Sequence, residues 1–218
     1  MEDKLILVNE QDVQTGTCGK LEAHERGLLH RAFSIFIFRR ALVDNPDGTR
    51  NFHNQLLIQK RAAGKYHSAG LWANSCCSHP RDGESLEEAT MRRLPQETGI
   101  STADLMCGEA AGPENALEEK GAFIYRADFD NGLTEYEFDH VFVGWLPQAG
   151  PGSEDEIAFA PNPEEAEEMK FVDVEWVMHD VLLNPSAYAA WFMPALLIAT
   201  DGTDFESLHK EASDRMIY

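Results

Sequence analysis

Residues 31–38 read RAFSIFIF, a nearly unbroken run of aromatic and β-branched side chains. A strand with one wet face alternates polar and apolar residues, so a run without alternation predicts a strand buried on both sides. Such a strand needs a sheet with cover on both faces, and the neighbouring segments supply one. KLILV at 4–8 reads as a first strand, followed by QDVQTGT as a polar turn. HNQLLIQK at 53–60 answers RAFSIFIF across the turn DNPDGTR as its hairpin partner. ESLEEATMRRL opens a helix with Glu84 and Ser85 at its acidic start, Arg92 and Arg93 toward its end, and Gly99 as its stop. GAFIYRADF at 121–129 and FDHVFVGWL at 138–146 read as strands separated by the turn DNGL, MKFVDVEWV at 169–177 as a last strand, and SAYAAWFMPALLIAT at 186–200 as a last helix. Loops are expected around 108–119 and over 147–163. Hairpins intermixed with helices predict an α+β fold, a mixed β-sheet sandwiched between helices (α/β/α), in a single domain over residues 1–218.

Hydrophobic residues make up 43% of the chain, ample for a packed core, while the net charge of −20 argues against a sequence-independent hold on nucleic acid or an anionic membrane. A small anionic substrate then needs a local basic pocket. The start MEDKLILVNE lacks the basic residues and long apolar centre of a signal peptide, and no apolar run of membrane-spanning length occurs. A cytoplasmic protein is expected, with Cys18, Cys76, Cys77 and Cys107 as thiols. The acidic blocks EEAEE and SEDE read as solvated surface, and the overall acidity also suits a salt-adapted cytoplasm.

WANSCCSHP at 72–80 places two cysteines side by side, two residues before a histidine. A free cysteine is ordinarily a small buried hydrophobe. On an extended segment, however, Cys77 and His79 share one face and Cys76 takes the other. His24 and His30 are six apart, which is not the spacing of two ligands on one helix face, and alone each fits a surface or core position. Glu135 and Glu137, two apart, point the same way on a strand, which is costly unless water or a cation lies between them. Taken together, His24, His30, His79, Glu135 and Glu137 form a mixed nitrogen and oxygen set. It suits six-coordinate Mn2+ or Mg2+ better than tetrahedral structural Zn2+.

The helix and the residues before it resemble the Nudix signature, running from Ser78 through Glu84 to Arg92, Arg93, Leu94, Pro95, Gln96, Glu97, Thr98, Gly99 and Ile100. Ser78, Arg93 and Gln96 replace a glycine and two metal-binding glutamates, so a Nudix fold is retained while the hydrolase carboxylates are depleted. Pro95 is expected to kink the last turn. RAFSIFIF, NSCCSHP, RRL and ETG on that helix, YRA at 125–127, EYE at 135–137 and an aromatic late helix with Trp191 follow the order found in type I isopentenyl-diphosphate isomerases, which the chain resembles over most of its length. The resemblance implies isomerisation of isopentenyl diphosphate to dimethylallyl diphosphate in isoprenoid biosynthesis. It implies catalytic roles for Cys77, Glu137, Tyr125 and Trp191, and diphosphate binding by Lys20, Arg61, Lys65 and Arg93. It further implies a metal site of His24, His30, His79, Glu135 and Glu137 holding Mn2+, Mg2+ or Zn2+, with Glu97 as ligand of an Mg2+ arriving with the diphosphate. No Gly-rich dinucleotide loop is present, so no flavin is expected. Small molecules are the expected partners, without nucleic acid or membrane. Two rivals remain at this level: a Nudix hydrolase of nucleoside diphosphate derivatives, and a non-catalytic metal-binding protein in which Cys77 and Glu137 merely pack or face water.

Overall fold

The computed structural model describes residues 4–44, 47–106, 116–147 and 160–200. Cys107, most of the loop expected at 108–119 and most of that at 147–163 lie outside the described residues.

The elements run β1 (Lys4–Val8), β2 (Gln14–Gly19), α1 (Lys20–Arg26), β3 (His30–Asp44), β4 (Arg50–Arg61), β5 (Trp72–Ala73), β6 (Cys76–Ser78), α2 (Leu86–Thr98), β7 (Glu118–Asp128), β8 (Thr134–Trp145), β9 (Ala166–Asp173), α3 (Val174–Leu183) and α4 (Phe192–Thr200). The nine strands among the described residues join in one sheet. β3 is its spine. It pairs antiparallel with β4 and β6 along one edge and parallel with β8 along the other, so the sheet is mixed as expected.

The alternation of β3 explains the absence of polar residues in RAFSIFIF. Phe33, Ile35 and Ile37 enter a core with Ala89 and Leu94 of α2, while Phe36 and Phe38 enter a second core with Val177 and Val181 of α3 and Phe192 and Leu196 of α4. Helices therefore cover both faces, which is the α/β/α arrangement. Each fully buried Phe, Ile or Leu contributes about 1.5–3 kcal/mol of transfer free energy, so β3 is where the two cores are anchored.

Three element assignments from sequence are corrected. QDVQTGT is not simply a turn: its second half is β2, an edge strand whose polar residues reflect solvent on one side, paired with β1 from Lys4↔Gly19 to Val8↔Gln14. MKFVDVEWV does not stay extended, because the strand ends at Asp173, which becomes the residue preceding α3. The last helix does not start at Ser186: a single 3-10 turn at Pro185–Ala187 precedes it, and Trp191 stands immediately before α4.

Helix α2 starts at a capping box, with Ser85 accepting from the Glu88 N–H and Glu88 accepting from the Ser85 N–H. Arg92 reaches back to Glu84 through bonds of 2.6 and 2.8 Å, tying the helix to the loop before it. The helix continues through Pro95 and ends at Gly99, whose backbone is left-handed (φ 77°). A Cβ at Gly99 would sit 2.9 Å from the Ala160 backbone nitrogen. Gly99→Ala is therefore expected to lose roughly 1–2 kcal/mol to the left-handed backbone alone and more to the clash, measured as a lowered midpoint in chemical denaturation.

Candidate active site

The sheet face that carries the α3 and α4 core changes character toward the start of β8. Val143 and Val141 belong to that core, and the next residues on the same face are Asp139, Glu137 and Glu135, all buried. Strand register then lines up the chemistry, since His30 is directly opposite Glu137 on one side and Tyr125 of β7 is opposite it on the other. Tyr125 donates its hydroxyl to Glu137 Oε2 at 2.6 Å. Glu137 Oε1 lies 2.9 Å from His79 Nε2 and 3.4 Å from His30 Nε2. Burial opposes ionisation of Glu137, but His79 and His30 outweigh it and hold its carboxyl well below the usual range. Burial holds the Tyr125 hydroxyl well above its usual value, so it stays a donor.

His24 and His30 reach this cluster from different elements, the first on α1 and the second at the start of β3, with ring centroids 5.0 Å apart. Gly27, left-handed at φ 57°, ends α1 and turns the chain between them. Their spacing in sequence is thus the length of that turn. His24 Nδ1 lies 2.7 Å from the Lys20 carbonyl and His30 Nδ1 2.8 Å from the Leu28 carbonyl. A carbonyl only accepts, so each Nδ1 carries the proton and each Nε2 presents a lone pair. Among the described residues, both Nε2 atoms and Glu135 Oε2 are buried without a hydrogen-bond partner. Candidate ligand atoms of His24, His30, His79 and Glu137 lie within 4.8 Å of one another, and so do those of His24, His67 and Glu135. Orphaned lone pairs backed by carbonyls are what a buried divalent cation requires, and the group fits a metal ion.

Beside this cluster an open cleft of about 570 Å³ brings together Cys77, Tyr125, Glu137 and Trp191 with Lys20, Arg61, Lys65 and Arg93. His79 and Glu135 also face it, whereas His24 and His30 are fully buried. Cys76 is fully buried in the α2 core and Cys77 packs with Trp191 and Tyr125, so alternation along β6 divides the two thiols. Cys77 Sγ donates to Asn74 Oδ1 at 2.9 Å and lies 3.3 Å from Trp191 Nε1. Burial pushes its pKa well up, so it is a thiol. Arg61 stacks on the Trp191 ring with its guanidinium carbon 5.1 Å from the centroid.

Residues 29–192 match the NUDIX domain. Over 191 residues the chain is 46% identical to isopentenyl-diphosphate Delta-isomerase 1 of Aromatoleum aromaticum, a match covering 88% of this chain and 89% of that protein. The chain belongs to the isopentenyl-diphosphate Delta-isomerase family of NUDIX-domain proteins. A Photorhabdus laumondii member, isopentenyl-diphosphate Delta-isomerase 2, is 41% identical over 197 residues, 88% of this chain and 89% of its own. A solved structure from Deinococcus radiodurans aligns with a TM-score of 0.62 over 90% of this chain and 99% of its own, at 16% identity, which speaks to the fold alone. The resemblance read from NSCCSHP and EYE is thereby borne out at the level of family.

For this isomerase-family chain, sequence reasoning overlooked two residues that line the cleft, His67 and Glu165, and one buried behind it, Asn74. His67, in KYHSAG, is buried with Nδ1 3.1 Å from Glu135 Oε1. Asn74 is fully buried; its amide donates to the Ile35 and Cys76 carbonyls, which orients Oδ1 toward both Trp191 Nε1, at 3.0 Å, and Cys77. Glu165 belongs to EEAEE, read as solvated surface, yet it accepts from both Lys65 and Arg93 and faces the cleft. Glu97 is buried behind Arg93, with which it is ion-paired, and does not line the cleft. Among the described residues no helix is long and apolar enough to cross a membrane.

Proposed function

We propose that this chain interconverts isopentenyl diphosphate and dimethylallyl diphosphate by proton transfer to and from carbon, as a step of isoprenoid biosynthesis in the cytoplasm. The observation that carries the reading is the cleft itself. A thiol, a hydrogen-bonded carboxylate and an indole share it with four basic side chains, in a chain of net charge −20.

Lys20, Arg61, Lys65 and Arg93 bind the diphosphate, Arg61 and Arg93 by the bidentate geometry that suits phosphate oxygens. The alkene end then lies toward Cys77, Glu137 and Trp191. One proton is added to the terminal carbon of the double bond, giving a tertiary cation, and one is removed from the carbon on the diphosphate side. The count of protons is unchanged and the double bond has moved. Cys77 and Glu137 are the two carriers, and because the reaction runs both ways each must give in one direction what it takes in the other. Tyr125 holds Glu137 by its hydroxyl bond. Trp191, pinned at Nε1 by Asn74 and Cys77, offers a π face to the cation, an interaction of roughly 2 kcal/mol or more when desolvated.

His24, His30, His79, Glu135 and Glu137 would hold a divalent cation, Mn2+ or Mg2+ by the oxygen and imidazole donor set. Bound there, the cation would supply positive charge that favours the ionised form of Glu137. Glu97 is the proposed ligand of an Mg2+ that enters with the diphosphate, a role that requires the diphosphate to take over Arg93. Residues 1–218 are proposed to act as one domain, without flavin, nucleic acid or membrane.

The test is incubation with isopentenyl diphosphate, Mg2+ and Mn2+ in deuterated water. Dimethylallyl diphosphate is expected, carrying deuterium in its carbon skeleton, with no phosphate released. Inorganic phosphate without isomerisation would establish a NUDIX hydrolase instead.

A further inference from the structure

Each of the two glutamates on β8 has its carboxylate oxygens divided between two kinds of neighbour. Glu137 Oε2 is taken by the Tyr125 hydroxyl at 2.6 Å, which leaves Oε1 toward His79 and His30. Glu135 is arranged comparably, with an imidazole beside one oxygen. Its Oε1 lies 3.1 Å from His67 Nδ1, which also lies 3.5 Å from Ser68 Oγ, while its Oε2 is buried and without a hydrogen-bond partner among the described residues.

We infer that His67 is a positioning residue of the metal centre: it holds one oxygen of Glu135 and leaves the other as a single-oxygen ligand. The inference rests on the metal centre proposed above. Three observations support it. First, the His67 ring is fixed, lying nearly parallel to His24 (centroids 5.6 Å, 20°) and to Phe129 (5.2 Å, 21°), with its side chain 6% exposed. A ring held this way presents Nδ1 in one place, so a carboxylate beside it settles into one rotamer. Second, His67 sits at the centre itself, with candidate ligand atoms of His24, His67 and Glu135 within 4.8 Å of one another, and its Nδ1 lies beside the Glu135 carboxylate. Third, the orphaned Glu135 Oε2 is expensive to bury without a partner, typically by about 1–3 kcal/mol, and a cation at the cluster removes that cost. Donors that hold ligating carboxylates are worth typically about 10- to 100-fold in metal affinity. His67 also meets Trp191 edge-on at 6.4 Å, so the residue that steadies Glu135 borders the cleft as well.

Mn2+ binding measures this without reference to turnover. The free-ion electron paramagnetic resonance signal gives affinity and stoichiometry, and nitrogen hyperfine coupling of bound Mn2+ counts coordinated imidazoles. The parent protein is expected to bind Mn2+ at this centre with three imidazoles. His67→Phe, which keeps a stacking ring and removes the donor, should bind about 10- to 100-fold more weakly with the same three. His67→Gln, which retains an N–H donor, should stay within a few-fold of the parent. Unchanged affinity in His67→Phe would overturn the inference while leaving the metal centre standing. Four imidazoles in the parent would overturn it differently, making His67 a ligand, and this count stands even where His67→Phe does not fold. A parent with no Mn2+ at the centre would remove the centre and the inference together.

Discussion

Cys77→Ala is expected to fold, bind metal and lose isomerisation by about 10²- to 10⁴-fold, the usual contribution of a general acid or base, while Cys76→Ala keeps its turnover. The two positions are adjacent, so proximity to the cleft cannot separate them. What separates them is the period of an extended chain. Cys76 packs with Leu94 and Ile35 on the α2 side, and Cys77 packs with Trp191 and Tyr125 on the cleft side. Removing one buried sulfur from a close-packed core is expected to lower the stability of Cys76→Ala by about 1 kcal/mol, seen in equilibrium denaturation and not in kcat. A methyl group at position 77 fills part of the space but carries no proton. A Cys77→Ala enzyme within a few-fold of the parent rate would assign the proton transfers to Glu137 and Tyr125 alone.

Such contrasts were legible in the sequence wherever a short period carried the information. Two residues apart on a strand means one face, and that rule placed Cys77 with His79 and Glu135 with Glu137. The rule also shows where reading by period ends. MKFVDVEWV alternates well enough to be a strand throughout, but Asp173 sits at the switch from β9 to α3, and alternation does not register a helix start inside it. β2 has no apolar signal because an edge strand with solvent on one side needs none. His67 follows Lys65 and Tyr66 in an irregular stretch between β4 and β5, where no period relates one side chain to the next. Glu165 is hidden in a different way. Four of the five residues of EEAEE are acidic, and only the position of Lys65 and Arg93 in space marks one of them as half-buried against cations. The proposed metal ligands required a third kind of information, since His24 on α1 and His30 on β3 become neighbours through the left-handed turn at Gly27.

Glu137→Gln should lose turnover by about 10²- to 10⁴-fold as well, and unlike Cys77→Ala it should weaken Mn2+ binding, because an amide in place of the carboxylate offers no negative charge to a cation shared with His30 and His79. Tyr125→Phe tests how that carboxylate is held. The hydroxyl touches Glu137 Oε2 at 2.6 Å, and a hydrogen bond to a charged group contributes about 1.5–3 kcal/mol. Its removal should therefore reduce turnover by roughly 10- to 100-fold and also weaken Mn2+ binding by up to about 10- to 100-fold, since the hydroxyl orients a carboxylate whose other oxygen faces the imidazoles. If Tyr125 works only through Glu137, the two losses cannot add: the double variant Tyr125→Phe with Glu137→Gln should be no slower than Glu137→Gln alone. Additive losses in kcat would show that Tyr125 passes a proton on its own account, and the hydroxyl would then count as a third carrier beside the thiol and the carboxylate.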